Sequence, residues 1–211
     1  MTDSGYYATR YTADPRRRAV WRHLAAYLQR WINPSADVLE LGAGYCDFSN
    51  TIAAGSRTAV DVEAGFAKFA DAGVTTVVGS CTDLSGFADA SFDVVFASNL
   101  LEHLERGPLL ATLAEVRRVL RSGGRLILIQ PNYRLRPHQY FDDYTHVAVF
   151  TDRSLPDMLE ANGFAREHVD ARFLPLTLKS RLAFGHRLVP LYLRLPWRPL
   201  AGQMLVVATR H

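Results

Sequence analysis

Two short segments concentrate the side chains able to move protons or hold a cation. His138–Phe150 reads HQYFDDYTHVAVF and places His138, Asp142, Asp143 and His146 in one stretch. Carboxylates crowded this closely cost free energy unless a base, a cation or water offsets the repulsion, so the cluster points to acid–base or metal chemistry. His146 is the candidate base, with Asp142 or Asp143 orienting it. Alternatively Asp142, Asp143 and His146 ligate a divalent ion, an oxygen–nitrogen set that suits Mg2+ or Mn2+. The competing reading is a solvated loop. The second pair, Glu102-His103, stands in SNLLEHL. Both are catalytic candidates, although His103 could equally brace the following helix.

A glycine loop supplies the binding side. VLELGAGYCDF, Val38–Phe48, is an apolar run ending in Glu40-Leu41, then Gly42-Ala43-Gly44. Such glycines permit a tight turn and let a ligand approach the backbone. Asp61 follows 19 residues after Gly42, at the end of the next apolar run. A carboxylate there can accept both hydroxyls of a ribose. A dinucleotide site needs a third small residue at the helix start, whereas Asp47 stands there, and Glu40 adds a second acidic group before the loop. The loop therefore suits a ligand with ribose and positive charge but no phosphate, as in S-adenosylmethionine. A bare strand–helix turn is the alternative.

These residues must be held by elements that the apolar spacing predicts. Val20, Trp21, Leu24, Leu28 and Trp31 recur at helical spacing after Asp14-Pro15, which gives an amphipathic helix ending near Asn33-Pro34. Strands are expected at Val38–Leu41, Thr58–Asp61, Thr75–Val78, Phe92–Ala97 and Arg125–Gln130. Helices are expected at Asp47–Ala54, Ala64–Ala70 and Pro108–Leu120, the last stopped by Ser122-Gly123-Gly124. A further helix, Ser154–Ala161, should end at Asn162-Gly163. Phe164–Phe173 and Gln203–Thr209 read as an antiparallel closing pair. Short apolar strands alternating with helices mean an α/β fold, a mostly parallel sheet covered on both faces.

Length and composition agree. The chain has 211 residues, a net charge of +3 and 48% hydrophobic residues, which fits one domain with a sizeable core. Its segments are 1–34 (lid and first helix), 35–135 (binding core) and 136–211 (acceptor side and closing strands). Two cysteines, Cys46 and Cys81, are too few for a disulfide framework. Lys68 and Lys179 are the only lysines among 24 basic residues, and the charge is spread too thinly for a nucleic-acid partner. No apolar signal region and no run near the ~20 residues needed to span a bilayer is found, so a cytoplasmic protein is expected.

In its motifs the chain resembles the class I S-adenosylmethionine-dependent methyltransferases. The likeness covers most of Val38–Pro131: VLELGAG, the strand end AVD at Ala59–Asp61, SFDVVFASNLLEHL at Ser91–Leu104 and RVLRSGGRLILIQPN at Arg118–Asn132. It implies a Rossmann-like seven-stranded sheet. It also implies that Glu40, Gly42 and Gly44 flank the methionine part of the cofactor, that Tyr45 is a further cofactor-binding residue and that Asp61 binds the ribose. Cys81 and Thr82 would lie by the adenine, since Ser80 stands where many members carry an acidic residue. Asn99 would face the transfer centre. Arg10, in the aromatic segment Gly5–Thr12, is a candidate partner for the methionine carboxylate.

Ser98-Asn99-Leu100-Leu101 is not the motif of exocyclic-amine methyltransferases, which counts against nucleic-acid bases. The segment YFDDYTHVAVFT and the C-terminal stretch resemble small bacterial sugar O-methyltransferases of the methylmannose-polysaccharide kind. That resemblance implies a saccharide hydroxyl as acceptor in polysaccharide biosynthesis, with Tyr133, Tyr140, Tyr144 and Arg172 available to a sugar. A lipid, quinone or other small natural product is the rival acceptor, and a non-catalytic cofactor-binding module the rival outside enzymes. Arg181–Pro199, rich in Arg, Pro, Leu and aromatics, reads as a homodimer contact, a core cover or a membrane-resting segment.

Overall fold

The structure, a computed structural model, describes residues 15–176 and 185–211. Arg10 and its segment Gly5–Thr12 lie outside the described residues, as do residues 181–184 of the Arg-rich stretch.

The strands are β1 (Asp37–Leu41), β2 (Ser56–Asp61), β3 (Thr75–Val78), β4 (Phe92–Ser98), β5 (Leu120–Pro131), β6 (Phe164–Pro175) and β7 (Ala201–Arg210). They form one seven-stranded sheet in the order β3-β2-β1-β4-β5-β7-β6. The first five in that order run parallel, and β7 is antiparallel to both β5 and β6. The helices are α1 (Pro15–Leu28), α2 (Arg106–Val119), α3 (Pro137–Tyr140), α4 (Ser154–Ala161) and α5 (Val189–Arg194).

The central strands are apolar throughout because both faces are covered. Leu39, Leu41, Val95 and Ala97 meet Leu109, Leu113 and Val116 of α2 and Leu155 and Leu159 of α4. The alternate positions Val38, Val94 and Phe96 meet Trp21, Leu24 and Leu28 of α1 on the other face. Leu193 of α5 joins this second layer, so the described part of the Arg-rich stretch covers core. Leu188, Leu191, Trp197 and Leu200 stay exposed. Among the described residues no helix is long and apolar enough to cross a membrane.

Phe96 anchors the second layer. Phe48 stacks on it at 3.8 Å between ring centroids, and Trp21 meets its edge at 6.0 Å. Phe96→Ala removes a wholly buried ring from between α1 and the glycine loop. We expect a stability loss of about 3–5 kcal/mol, read as a lower denaturant midpoint at unchanged slope.

Three elements differ from the sequence reading. Asp47–Ala54 is a series of turns, not a regular helix. Cys46 takes a positive φ of 54°, the Ser49 N–H donates to the Glu40 side chain at 3.0 Å, and the Thr51 hydroxyl donates back to the Asp47 carbonyl at 2.6 Å. Side chains thus compete with the helical ladder. Ala64–Phe69 is a 3-10 helix, opened by the Glu63 side chain accepting from the Gly65 N–H at 3.3 Å. Ser122-Gly123-Gly124 does not follow a helix stop: α2 ends at Val119 and β5 already includes these residues, with a register shift opposite Phe92 and Val94. A Cβ on Gly124 would lie 2.8 Å from the Arg121 carbonyl oxygen and 3.0 Å from that of Asp93, so the glycine serves close strand approach. The stop after α4 is as expected, with Gly163 at φ 86°.

Candidate active site

The chain turns from β1 towards β2 on one side and from β4 towards β5 on the other. A crevice opens where such directions diverge, at the carboxyl ends of the strands. Gly42 and Gly44 both have positive φ, 64° and 51°. The Gly44 N–H donates to Asp61 Oδ2 at 2.8 Å, and the Glu63 N–H donates to Asp61 Oδ1 at 2.9 Å. One buried carboxylate therefore ties together the loops after β1 and β2. Between them lies a narrow crevice of about 50 Å³, lined by Gly42, Val60, Asp61, Val62, Gly79, Cys81 and Leu100. A Cβ on Gly42 would come within 3.0 Å of Leu100, so the site needs glycine there for space as well as for conformation.

The remaining binding candidates sit around this crevice unequally. Cys81 is in its wall, its sulfur accepting from the Thr112 hydroxyl at 3.4 Å; burial raises the thiol pKa. Thr82 bonds to the Ser80 hydroxyl at 2.7 Å. Asn99 has a positive φ of 50° just past β4, and its amide nitrogen donates to the Ser98 hydroxyl at 3.1 Å. Tyr45 packs its ring against Phe69 and beneath the Arg17 guanidinium.

The acidic groups behave differently from the sequence reading. Asp47 is ion-paired with Arg17, so its charge is balanced rather than presented to a ligand. Burial raises its pKa and Arg17 opposes the rise. Glu40 is buried and accepts from both the N–H and the hydroxyl of Ser49. Burial pushes its carboxyl up to about 8, against the bonds from Ser49. The exclusion of a diphosphate rests instead on two other features. Asp61 already occupies the Gly44 N–H, and no regular helix begins at Asp47 to offer its N-terminus.

A raised carboxyl pKa favours the folded state fully below its unfolded value of about 4.5, and that advantage is lost as pH rises through about 8. The melting temperature should therefore carry a downward contribution from Glu40 between about pH 5 and pH 8. Glu40→Gln, which keeps an acceptor for Ser49, should flatten that slope in thermal unfolding across this range. An unchanged slope would contradict the assignment.

The reactive cluster forms from two distant segments. After β4 the chain makes a 3-10 turn at Leu101–His103. The N–H groups of Val147 and Ala148 donate to the Glu102 carbonyl at 2.9 and 3.0 Å, clipping the later loop onto this turn. Glu102 Oε1 then lies 3.9 Å from Nε2 of His103 and 3.9 Å from Nε2 of His146. Glu102 is wholly buried, and no donor from another residue reaches either of its carboxylate oxygens among the described residues. Burial pushes its carboxyl up to about 8; its own backbone amide opposes this and Asp143 adds to it.

His103 Nδ1 faces the Thr145 hydroxyl at 2.9 Å and the Thr145 carbonyl at 3.3 Å. The hydroxyl donates its proton to Asp143 Oδ1 at 2.7 Å, and the carbonyl can only accept. These partners assign the proton of neutral His103 to Nδ1 and leave the Nε2 lone pair facing Glu102. The His146 ring meets the edges of His103 and Tyr140, at 5.0 and 4.9 Å.

Glu102, His103 and His146 are thus brought together, with ligand atoms all within 4.8 Å of one another. Asp142 and His138 are exposed, and Asp143 accepts from the Thr145 N–H and hydroxyl. Thr145 is the residue that sequence reasoning missed, since a threonine in a polar loop carries no signal of its own. Tyr140 is buried, with its hydroxyl donating to the Ala148 carbonyl at 2.6 Å, so it offers no surface to a sugar. Arg172 lies over Trp197 and donates to the Arg198 carbonyl on the far side strands.

Residues 39–128 match the family model described as a methyltransferase domain. A malonyl-[acyl-carrier protein] O-methyltransferase of Methylococcus capsulatus is 35% identical over 187 residues, 79% of this chain and 66% of that protein. Residues 39–128 are a methyltransferase domain by this match. Solved structures agree on the fold. A protein of Pyrococcus horikoshii superposes with TM-score 0.70 at 18% identity, covering 99% of each chain. An S-adenosylmethionine-dependent methyltransferase of Archaeoglobus fulgidus does so with TM-score 0.64 at 20% identity, covering 90% of this chain and 94% of that one. The chain spans about two thirds of the length of its Methylococcus relative. Asp61 and Gly42 line the crevice of this domain, and the Gly44 N–H is bonded to Asp61 beside it.

Proposed function

We propose that this methyltransferase transfers the methyl group of S-adenosylmethionine to a hydroxyl of a small acceptor, of the saccharide class. Asp61 holds the ribose, Gly42, Gly44 and Glu40 border the methionine part, Cys81 lines the adenine side, and Asn99 stands at the transfer end. The acceptor oxygen bonds to the methyl carbon as the sulfur–methyl bond breaks. That electron pair stays on sulfur, and the hydroxyl proton passes to the Glu102–His103–His146 cluster.

The observation that carries the reading is this cluster, which begins two residues beyond Leu100 of the crevice. A carboxylate acceptor is already ionised and needs no base, whereas a hydroxyl does. Phe141 and Tyr144, 56% and 70% exposed in the same loop, offer ring faces to a sugar. A second reading, a carboxyl acceptor on a carrier, is favoured by what the Methylococcus relative is named for.

Methyl-labelled cofactor separates the two. A methyl ether keeps its label in mild alkali, while a methyl ester releases labelled methanol. Alkali-stable label on a saccharide is expected, and alkali-labile label on a malonyl thioester would replace this reading with the second.

A further inference from the structure

We infer that Glu102, His103 and His146 form a binding site for a borderline divalent cation of the Mn2+, Co2+ or Zn2+ kind, at the acceptor end of the crevice. Glu102 is wholly buried, and neither carboxylate oxygen receives a donor from another described residue. A buried carboxylate is costly without a partner, and a cation is the partner that satisfies both oxygens at once. Two imidazole nitrogens stand at 3.9 Å from the same oxygen, and all three ligand atoms lie within 4.8 Å of one another. An ion about 2.0–2.2 Å from each donor fits this set after a closure of about 1 Å.

The surroundings prepare the ligands. Thr145 holds His103 Nδ1–H and in turn donates to Asp143, so the Nε2 lone pair is fixed towards the cluster. Such a chain from carboxylate to imidazole orients metal-bound histidines. Two nitrogens and one carboxylate oxygen are the wrong donors for Mg2+, which prefers oxygen alone, and the right ones for first-row transition ions with open positions. The set also differs from Asp142, Asp143 and His146, because Asp142 is exposed and Asp143 is engaged by Thr145. Binding of the ion stands by itself. Its role rests on the hydroxyl reading above: with the ion bound the three side chains stay as ligands, the ion acidifies the acceptor hydroxyl, and the proton leaves to water instead of to the cluster itself.

The test titrates Co2+ into the full chain after chelator treatment and follows ligand-field absorption. One saturable site per chain is expected. Glu102→Gln and His146→Ala should each weaken it by about 100-fold, while His23→Ala, an imidazole on α1, should leave it unchanged. Co2+ should raise the melting temperature of the wild type and not that of the two variants. Absence of saturable uptake, or uptake that survives in both variants, overturns the site. If Glu102→Gln does not fold, His103→Ala decides in its place: tenfold or greater weakening supports the site, and unchanged affinity overturns it. Undiminished methyl transfer by metal-free enzyme would overturn the cation's role while leaving the hydroxyl reading intact. Co2+ held by these three residues in an enzyme that methylates only carboxyl groups would do the reverse.

Discussion

Replacing His146 by alanine should lower the methyl-transfer rate by about 10²–10⁴-fold, with adenosylhomocysteine affinity within about twofold of wild type. The expected split follows from where the residue sits. His146 reaches Glu102 from the loop after β5, whereas the crevice is lined by the end of β2 and by residues just past β1, β2, β3 and β4. Glu102→Gln should cost a similar factor, since Gln preserves volume but removes the titratable carboxyl that meets both imidazoles. The two losses should not add. Residues acting as one unit give a double variant little worse than either single one. Single-turnover transfer of a labelled methyl group measures all three. A fully active His146→Ala would remove this residue from the reaction.

The second large effect is at Asp61. Asp61→Ala should weaken adenosylhomocysteine binding by about 10²–10⁴-fold. Each hydrogen bond from a ribose hydroxyl to a carboxylate is worth about 1.5–3 kcal/mol. The same change also frees the Gly44 and Glu63 N–H groups that the carboxylate holds at 2.8 and 2.9 Å, so the two loops lose their shared tie. Asp61→Asn keeps one acceptor and should lose less, about tenfold. Calorimetry decides, and an Asp61→Ala protein that binds as tightly as wild type would contradict the ribose assignment.

The sheet was legible because its signal is local. FDVVFA and RLILIQ are apolar on consecutive positions, which only a strand covered on both faces can bury, and β4 and β5 form there. The closing pair was readable from Phe164–Phe173 and Gln203–Thr209, which lie within β6 and β7. The turn region after Gly44 was not, because its outcome depends on a contact across the chain. Glu40 captures the Ser49 N–H, and no rule of spacing announces that a strand residue will take a donor nine positions on.

The site divides along the same line. Gly42 and Asp61, which the spacing singled out, line one crevice, with the Gly44 N–H bonded to Asp61 beside it. The charge on Asp47 was misjudged, since its partner Arg17 comes from α1, 30 residues earlier. Glu102 and His146 were both visible as reactive types, but their meeting was not. It depends on the Val147 and Ala148 amides folding the loop back to the Glu102 carbonyl. Thr145, which sets the His103 tautomer, is visible only in three dimensions.

A crystal structure with adenosylhomocysteine and Co2+ bound tests the central claim most directly. The ribose hydroxyls should lie on Asp61, the sulfur should face the mouth of the Glu102–His103–His146 cluster past Leu100, and the ion should sit on those three side chains. A ligand whose ribose is elsewhere, or whose sulfur points away from that cluster, would contradict the assignment of both halves of the site.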